Sequence, residues 1–400
     1  MTTRPVPRRI RRTTLPVLAL VLAGTAVAGC TDKESSGAAG PGAIEVRSTD
    51  DACTLSATSA PAGNVVFEVT NDGSKVTEFY LLDADDEIVS EVENIGPGLL
   101  RTLVVTVDEG AYTAQCKPGM TGDGISEAFE VTEGDGSLAP SDPEVAAAVD
   151  EATTGYLAYV RDEAAQLLTK TEAFAAAYAE GRDDEARAAY ADTRVHWERI
   201  EPVAESFGDL DPKLDLREAD LEDGQEWTGW HRIEKDLWPP ADDPSYVALT
   251  VDERREMAEL LVADTRDLVD RTADLELTAS QLGNGAKELL DEVATGKVTG
   301  EEEIWSHTDL WDFQANIDGA RKAYELLRPA LLARGGDEAT ALAADLDREF
   351  DDVQALLDEQ RAGEGFTRYT DLTDEEIKAL ADAVDALAEP LSRLTAAVVL

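Results

Sequence analysis

The chain has 400 residues, enough for two or three domains, and 43% of them are apolar, which excludes an intrinsically disordered protein. Its 84 acidic residues outnumber 35 basic ones, and the net charge of −49 excludes a protein that binds nucleic acid through a basic surface. The charge also opposes contact between the folded part and anionic lipids, and it leaves cations as the natural small partners, although solubility alone would also explain it.

Residues 1–29 have the pattern of an export signal, with arginines first, then an apolar run too short to span a bilayer, then small residues. The end of this segment, Val27-Ala28-Gly29-Cys30, is similar to a bacterial lipobox, so we expect Cys30 to carry a lipid anchor. Ordinary secretory cleavage after Ala28 is the alternative. Residues 30–43 are rich in Ser, Gly and Ala and are expected to form a flexible tether outside the cell membrane.

Residues 44–132 have the pattern of an all-β domain. Short runs rich in Val, Thr, Phe and Tyr alternate with turn sequences such as Asn71-Asp72-Gly73 and Gly96-Pro97-Gly98. The predicted strands are 64–70, 75–82, 87–93, 100–107, 111–116 and 126–132. Seven or eight strands within about 90 residues predict a β-sandwich.

This domain also contains a candidate sulfur site. Cys116 and Met120 share a tight loop after a predicted strand, and Cys53 lies at the other end of the domain's sequence. The domain contains no histidine, which excludes a blue-copper centre built from cysteine, two histidines and methionine. Two interpretations stay open: a disulfide between Cys53 and Cys116, which an oxidising compartment favours, or a metal site in which a carboxylate such as Glu78 joins the sulfur atoms.

Residues 133–140 form a linker rich in Gly, Asp, Ser and Pro, and residues 141–400 follow a helical period. The sequence Ser141-Asp142-Pro143-Glu144 is a typical helix start. Helices are predicted at 141–181, 183–201, 228–237, 250–275, 278–294, 306–333, 337–361 and 373–399. Short loops between long amphipathic helices indicate antiparallel neighbours, so this part is predicted to form one or two helical bundles.

The three histidines and six tryptophans all lie between positions 196 and 311. His231 and Glu234 are three residues apart, which makes them neighbours on a helix. An imidazole and a carboxylate placed in this way form half of a metal site in di-iron helical bundles. An ion pair or a helix cap is the structural alternative. We expect His196 to be structural, while His307 is either a metal ligand or a partner of one.

Two acidic pairs repeat the spacing of three. Glu198 and Glu201 lie just before a proline, and Asp309 and Asp312 lie at a predicted helix start. Each pair has a structural alternative, because Glu198 can pair with a nearby arginine and Asp309 can cap its helix. Carboxylates with one or two ring nitrogens suit iron, manganese or calcium better than a thiolate zinc site. The two-histidine helix motif of zinc peptidases is absent from the sequence.

The order of lipobox, histidine-poor β-domain and helical domain resembles the EfeO family of iron-uptake lipoproteins. The resemblance covers residues 44–400 and is carried by the segments 75–80, 93–98, 116–120, 197–202, 227–234 and 306–313. It implies a cupredoxin-like β-sandwich over 44–132 and an imelysin-like all-α domain with an H-x-x-E motif over 141–400. It also implies an extracytoplasmic, membrane-anchored protein without enzymatic activity, which binds Fe²⁺ or Fe³⁺ and delivers it to a membrane iron permease.

The resemblance also implies site residues and partners. The iron ligands would come from six residues, namely His231, Glu234, Glu198, Glu201, Asp215 and Asp309. A second site, for copper or ferric iron, would use Cys53, Glu78, Cys116 and Met120. The partners would be the iron permease and a haem peroxidase of the same uptake system.

Two other functions remain as alternatives. A metallopeptidase is the first, because imelysin-like domains have been grouped with metallopeptidases through the H-x-x-E motif. A surface polysaccharide-binding protein is the second, with the tryptophan-rich region as a platform for sugars. The second alternative requires Trp227, Trp230 and Trp238 to be exposed in one cleft.

Overall fold

The computed structural model describes residues 42–84, 86–134, 140, 142–221, 224–240, 243–295, 297–363 and 365–400. The export signal, the lipidation site at Cys30 and most of the tether and of the linker lie outside these residues. In the described part, the strands of residues 44–132 precede the helices, which confirms the predicted order of an all-β sandwich and an all-α domain.

The strands of the N-terminal domain form two sheets. The strands are β1 Ile44–Ser48, β2 Cys53–Leu55, β3 Ser59–Pro61, β4 Gly63–Asn71, β5 Thr77–Leu82, β6 Ile88–Ile95, β7 Leu100–Val107, β8 Gly110–Cys116 and β9 Ile125–Thr132. One sheet has the order β2-β1-β4-β7 and the other has the order β3-β9-β8-β5-β6. Strand β4 alternates strictly between buried and half-buried residues, as a strand with one face on the core requires.

The core of the sandwich is aromatic and is crossed by a disulfide. Phe67 lies with its ring centroid 5.2 Å from that of Phe79 and 5.3 Å from that of Phe129, so one ring of the first sheet packs between two of the second. Cys53 of β2 and Cys116 of β8 are bonded to each other, and their sulfur atoms are 2.04 Å apart. The bond therefore links the two sheets.

The helical domain consists of long helices joined by short loops and 3₁₀ turns. The helices are α1 Pro143–Ala179, α2 Asp183–Glu198, α3 Leu210–Asp215, α4 Gly229–Leu237, α5 Val251–Arg271, α6 Ala279–Thr295, α7 Asp309–Ala333, α8 Gly336–Glu359, α9 Asp374–Leu391 and α10 Leu394–Val399. The 3₁₀ turns are Glu201–Phe207, Glu218–Asp220, Lys297–Thr299 and Tyr369–Asp371, and a short hairpin pairs β10 Arg361–Ala362 with β11 Gly365–Phe366.

Several helix ends differ from the predicted ones, among them the end of α5, which lies at Arg271 instead of 275. Helix α2 ends at Glu198 instead of 201, because the proline at 202 cannot continue a helical hydrogen-bond ladder. Helix α7 begins at Asp309 instead of 306, because the backbone of His307 has a φ of 61°, outside the helical region. The predicted helix 373–399 is divided into α9, which contains Pro390, and α10, with Ser392 and Arg393 between them.

Helix α6 joins the two domains. Nδ2 of Asn284 donates to Oγ of Ser90 on β6 at 3.0 Å and to the carbonyl of Val104 on β7 at 2.9 Å. Oγ of Ser280 accepts a hydrogen bond at 3.0 Å from the backbone N–H of Thr106. The described residues from 42 onward accordingly form one unit, in which the β-domain packs against the helical domain. None of the helices in the described part is long and apolar enough to cross a membrane.

Candidate metal centre

The centre lies where α3, α4 and the loop before α7 meet. His231 and Glu234 belong to α4, and Asp215 ends α3. Gly229 begins α4 with a φ of 81°, and a Cβ atom there would lie 2.2 Å from the carbonyl oxygen of Leu214. Only glycine allows this close approach, which brings the first turn of α4 against the end of α3.

The imidazole of His231 is surrounded by carboxylates on both of its nitrogens. Nε2 lies 3.3 Å from Asp215 Oδ1 and 3.3 Å from Glu302 Oε1. Nδ1 lies 3.6 Å from Glu234 Oε2 and 4.0 Å from Glu303 Oε1. Two ligands at right angles on one metal, each about 2.1 Å from it, are about 3.0 Å apart, so a small inward movement would let either group hold an ion.

The possible metal ligands form two groups that share His231. The first consists of Asp215, His231 and Glu302, and the second of His231, Glu234 and Glu303. Within each group one oxygen or nitrogen of every residue lies within 4.8 Å of the others. One ring can thus serve a metal on either nitrogen. The donor set is one nitrogen with carboxylate oxygens, which suits iron or manganese.

Burial leaves several polar atoms of this centre without a partner. His231 is 1% exposed and Glu234 is completely buried. Neither ring nitrogen of His231 has a hydrogen-bond partner among the described residues, and neither has Oε2 of Glu234 or of Glu302. Unpartnered buried polar atoms are costly, and a bound cation is the ligand that would satisfy a ring nitrogen and carboxylate oxygens together.

A buried arginine balances part of the negative charge. Arg194 of α2 has no exposed surface, and its guanidinium contacts Asp215. Its Nε lies 2.7 Å from Glu303 Oε1, and its Nη2 lies 2.5 Å from Glu198 Oε1. The carboxylates outnumber this cation, so the centre without metal must also hold protons.

The surroundings of His231 and Glu303 favour their protonated forms. Burial and Arg194 both oppose a charged imidazole, but the negative charge of Asp215, 3.3 Å from Nε2, outweighs them and raises the pKa of His231 well above its usual value. Burial and the charge of Glu234 raise the pKa of Glu303 well above the usual range. Burial acts against the charge of Glu302, yet Lys297 and His231 lower its pKa to about 2. A metal would therefore displace protons on binding.

Hydrogen bonds from the backbone and from an indole orient the ligands. Oε1 of Glu234 accepts from the N–H of Trp305 at 3.1 Å and from the N–H of Ser306 at 2.7 Å. Nε1 of Trp197 donates to Asp215 Oδ2 at 2.8 Å. These bonds leave the other oxygen of each carboxylate facing His231, as in metal sites whose ligands are held by outer hydrogen bonds.

Two of the six candidate ligands contact a lysine and an asparagine instead of His231. Glu198 accepts hydrogen bonds from Lys297 Nζ at 3.0 Å and from Asn316 Nδ2 at 3.0 Å. Glu201 lies 2.6 Å from the same Lys297 ammonium and 2.5 Å from Asn316 Nδ2. Neither belongs to a group with His231 among the described residues. They lie at the side of the centre, with their charge balanced by a buried lysine.

Asp309 lies in a supporting position. Its Oδ1 accepts a hydrogen bond from the backbone N–H of Glu303 at 3.1 Å, which fixes the loop that carries Glu303. Asp309 is not the N-cap of its own helix. The N-cap residue of α7 is Thr308, whose side chain makes no capping hydrogen bond. Asp312, one turn further, is buried, and neither of its carboxylate oxygens has a hydrogen-bond partner among the described residues, although one of them forms an ion pair with Arg194 Nε at 3.7 Å.

The sequence analysis missed Glu302 and Glu303. They follow Glu301 in a run of three acids that reads as an ordinary solvated loop. Glu301 is exposed, while Glu302 and Glu303 are 4% and 0% exposed. The sequence shows only that these acids lie a few residues before Ser306, and their spacing along the chain does not relate them to His231.

The sulfur site of the β-domain has a disulfide at its centre. Because Cys53 and Cys116 are bonded to each other, neither offers the thiolate that binds a metal, and copper in this domain has no support. Glu78 is buried and accepts a hydrogen bond from the Tyr80 hydroxyl at 2.5 Å. Met120 is 39% exposed on its loop.

The remaining histidines and the tryptophans have structural surroundings. Nδ1 of His196 lies 2.5 Å from Glu163, and His307 belongs to neither group around His231. Trp230 is completely buried against Phe174 and Tyr190. The other two tryptophans of the proposed sugar platform are half-buried and pack on aromatic rings, Trp227 on Trp305 and Trp238 on Tyr190. This arrangement does not favour a polysaccharide cleft.

Comparison with known proteins gives two consistent results. Residues 152–394 match the imelysin family, which is also designated peptidase M75. The iron uptake system component EfeO of Escherichia coli K12 is 37% identical over 354 residues, which are 88% of this chain and 90% of that protein. The proteins of the same name from Shigella flexneri and from Escherichia coli O157:H7 match with the same identity and the same coverage.

Proposed function

This chain belongs to the imelysin family as an EfeO-type protein, and we propose that it captures iron outside the cytoplasm as cargo at the centre around His231. The relatives are named as components of an iron uptake system. The ligands in the proposal are His231, Glu234, Asp215, Glu302 and Glu303. Glu198, Glu201 and Asp309 support them from the positions described above.

The observation that carries the proposal is the environment of the His231 ring. Both of its nitrogens are buried without a hydrogen-bond partner in the described part of the chain, and each faces carboxylate oxygens. Burying such atoms costs free energy unless a ligand compensates them. An ion that accepts both oxygen and imidazole ligands meets this requirement, and iron does so.

The remaining steps of uptake would involve the membrane and two partner proteins. Lipidation of Cys30 would hold the chain at the outer face of the membrane, where a permease could receive the iron. A haem peroxidase of the same system would be the second partner. The acidic surface would raise the local concentration of cations, although salt screens it beyond about 8 Å at physiological ionic strength.

Peptide hydrolysis ranks below iron capture for a geometric reason. A catalytic metal needs an open position that the substrate can reach. His231, the nitrogen donor of the centre, is only 1% exposed. A small ion can reach it more easily than a peptide substrate can. Incubation of the metal-loaded protein with a peptide library measures this alternative, and cleavage that disappears in Glu234→Ala would favour it over iron capture.

The test of iron capture is a titration of the full chain with Fe²⁺ without oxygen and with chelated Fe³⁺. We expect stoichiometric binding of at least one of them, and a loss of that binding in His231→Ala and in Glu234→Gln. The control variant is His307→Asn, because asparagine tolerates the positive φ of that position and His307 lies outside both groups. Unchanged binding in the His231 variant, or no binding in the parent chain, would reject the proposal.

A further inference from the structure

The His231 centre borders a cavity on one side of the ring. A cavity of about 580 Å³ between the β-domain and the helical domain, which we call the interdomain cavity, is lined by Asp215 and Glu302. These are the two carboxylates of the first group, at Nε2. Glu234 and Glu303, the completely buried carboxylates at Nδ1, do not belong to its lining. The ring itself is only 1% exposed, so an ion can approach it from this cavity on the Nε2 side.

The other end of the interdomain cavity reaches the surface. Asn94 and Met120 line it from the β-domain, and Glu205 lines it from the 3₁₀ turn Glu201–Phe207. The side chains of Met120 and Glu205 are exposed. The cavity therefore connects exposed residues with two ligands of the buried centre, and the β-domain forms one of its walls.

The charge of the lining selects cations. Ten of the eighteen described residues that line the interdomain cavity are acidic, and one, Arg217, is basic. The guanidinium of Arg217 is paired with Asp220, with Nε 2.6 Å from Oδ2. A cleft lined by one sign of charge concentrates ions of the opposite sign and raises their rate of association. Anions are repelled from the same cleft.

A second cavity near the centre has the opposite character. It has a volume of about 730 Å³ and is bordered by Trp305 and His307, from the loop that also carries Glu303. Its described lining contains Arg187 and Arg368 but no acidic residue and no ligand of the centre. A cation in this second cavity would meet like charge and no carboxylate, so the interdomain cavity is the more favourable approach.

Packing fixes the wall that the β-domain contributes. Nδ2 of Asn284 donates to Oγ of Ser90 on β6 at 3.0 Å, which holds α6 against the β-domain. Gly285, the next residue, lines the cavity, and a Cβ atom there would lie 1.8 Å from the carbonyl oxygen of Pro202. The width of the cavity at this point therefore depends on the close contact of the β-domain, α6 and the 3₁₀ turn.

We propose that the cation enters and leaves the His231 centre through the interdomain cavity, so that the β-domain controls access to the site. This inference rests on the proposed iron capture, because it concerns the path to the same centre. An entering ion meets Asp215 and Glu302 first and binds on the Nε2 side of the ring. The β-domain thereby acquires a function that does not require its cysteines, which are bonded to each other.

The test places a bulky group in the passage and measures rates. In the full chain carrying Cys30→Ser, the substitution Glu205→Cys supplies one free thiol, because Cys53 and Cys116 form a disulfide. A bulky, uncharged maleimide on this thiol is expected to slow the association of iron by at least about tenfold in stopped-flow measurements. Release of iron into an excess of chelator should slow by the same factor. The equilibrium affinity should change little, because ions enter and leave by the same path.

A second position tests the wall of the β-domain directly. Met120→Cys, labelled in the same way, should also slow both rates, because Met120 lines the cavity from the opposite side. It also serves if Glu205→Cys does not fold. Each labelled protein is compared with the same variant before labelling, so that the effect of the substitution itself cancels.

Two matched controls carry the same label elsewhere. Arg368→Cys places it at an exposed position of the second cavity, and Glu127→Cys places it at an exposed position of β9. Both should leave the two rates unchanged. Slower association with the label at position 368, and not at 205 or 120, would show that ions use the second cavity and would overturn the inference. A label at 205 that lowers the affinity without slowing association would also overturn it, because Glu205 would then act on the centre itself.

Failure of the path and failure of iron capture give different results. If the parent chain binds neither iron nor Mn²⁺, an ion that accepts the same donors, both proposals are rejected. If the parent binds iron in a manner that His231→Ala abolishes, while labels at 205 and 120 leave both rates unchanged, iron capture stands and the path through the interdomain cavity is rejected.

Discussion

The Oδ1 atom of Asp215 lies 3.3 Å from Nε2 of His231, and the two residues belong to different helices. The other oxygen of Asp215 accepts a hydrogen bond from the indole of Trp197. Arg194 also contacts this carboxylate. Asp215 is therefore held ionised and correctly oriented before any metal arrives, which is the arrangement expected of a ligand.

Replacement of Asp215 by asparagine is expected to weaken iron binding by about 10- to 100-fold, because it removes one charged ligand and keeps the shape of the side chain. The measurement is a competition titration of iron against a chelator of known affinity. Asp209→Asn is the control, since Asp209 is an exposed carboxylate that pairs with Lys213 and Arg271. Equal affinities for the two variants would remove Asp215 from the ligand set.

Glu302 provides a sharper comparison, because its neighbour Glu301 is exposed and has the same side chain. Glu302→Gln is expected to weaken iron binding by at least about tenfold, whereas Glu301→Gln should leave it unchanged. Isothermal titration of both variants beside the parent chain measures the difference. If both substitutions have the same small effect, the acidic run acts through its overall charge and does not supply a ligand.

Arg194 should contribute most to the free energy of unfolding when no metal is bound. Arg194→Met removes the only buried cation that contacts Asp215, Glu198 and Glu303 among the described residues, and is expected to lower the free energy of unfolding by about 3 to 5 kcal/mol. Bound metal should recover part of this loss, because the ion brings positive charge to the same carboxylates. Denaturant titration with and without metal measures both effects.

The control for this substitution is Arg266→Met, since Arg266 forms an exposed pair with Glu172. Pairs of that kind contribute little to stability, so no measurable change is expected. A parent-like unfolding curve for Arg194→Met would show that the carboxylates of the centre do not need the guanidinium.

The stability of the metal-free protein should fall as the pH rises from about 4.5 towards 8. Burial, together with Glu78, raises the pKa of Glu93 to about 8, and burial with the charge of Asp215 raises that of Asp211 to about 7. The folded chain therefore binds more protons than the unfolded chain between the ordinary carboxyl pKa and these raised values. These groups contribute their full stabilisation at pH values below the ordinary carboxyl pKa. The contribution is lost as the pH rises through the raised pKa of the folded state.

Thermal unfolding across this pH range measures the effect. Glu93→Gln and Asp211→Asn should each make the dependence of Tm on pH less steep, because an amide does not titrate. Glu127→Gln, at an exposed position of β9, should leave the slope as it is. A slope that neither Glu93→Gln nor Asp211→Asn changes would mean that other groups control the stability in this range.

The sequence by itself determined the order of the domains and one half of the centre. Alternating apolar residues with turn sequences defined the strands, and the spacing of His231 and Glu234 placed both side chains on one face of α4. The export signal predicted from the sequence made a bond between Cys53 and Cys116 one of two open interpretations, and the structure contains that bond. All of these depend on local periodicity or on composition, which a single sequence displays.

Only the tertiary structure decided which acids face His231. Glu302 and Glu303 reach the ring from a loop far along the chain, while Glu198 and Glu201, with the more suggestive spacing, pair with Lys297 and Asn316. Each of these outcomes depends on which cations and carboxylates meet when distant segments pack. Helical periodicity says which face a side chain occupies, but it carries no information about what another segment places opposite that face.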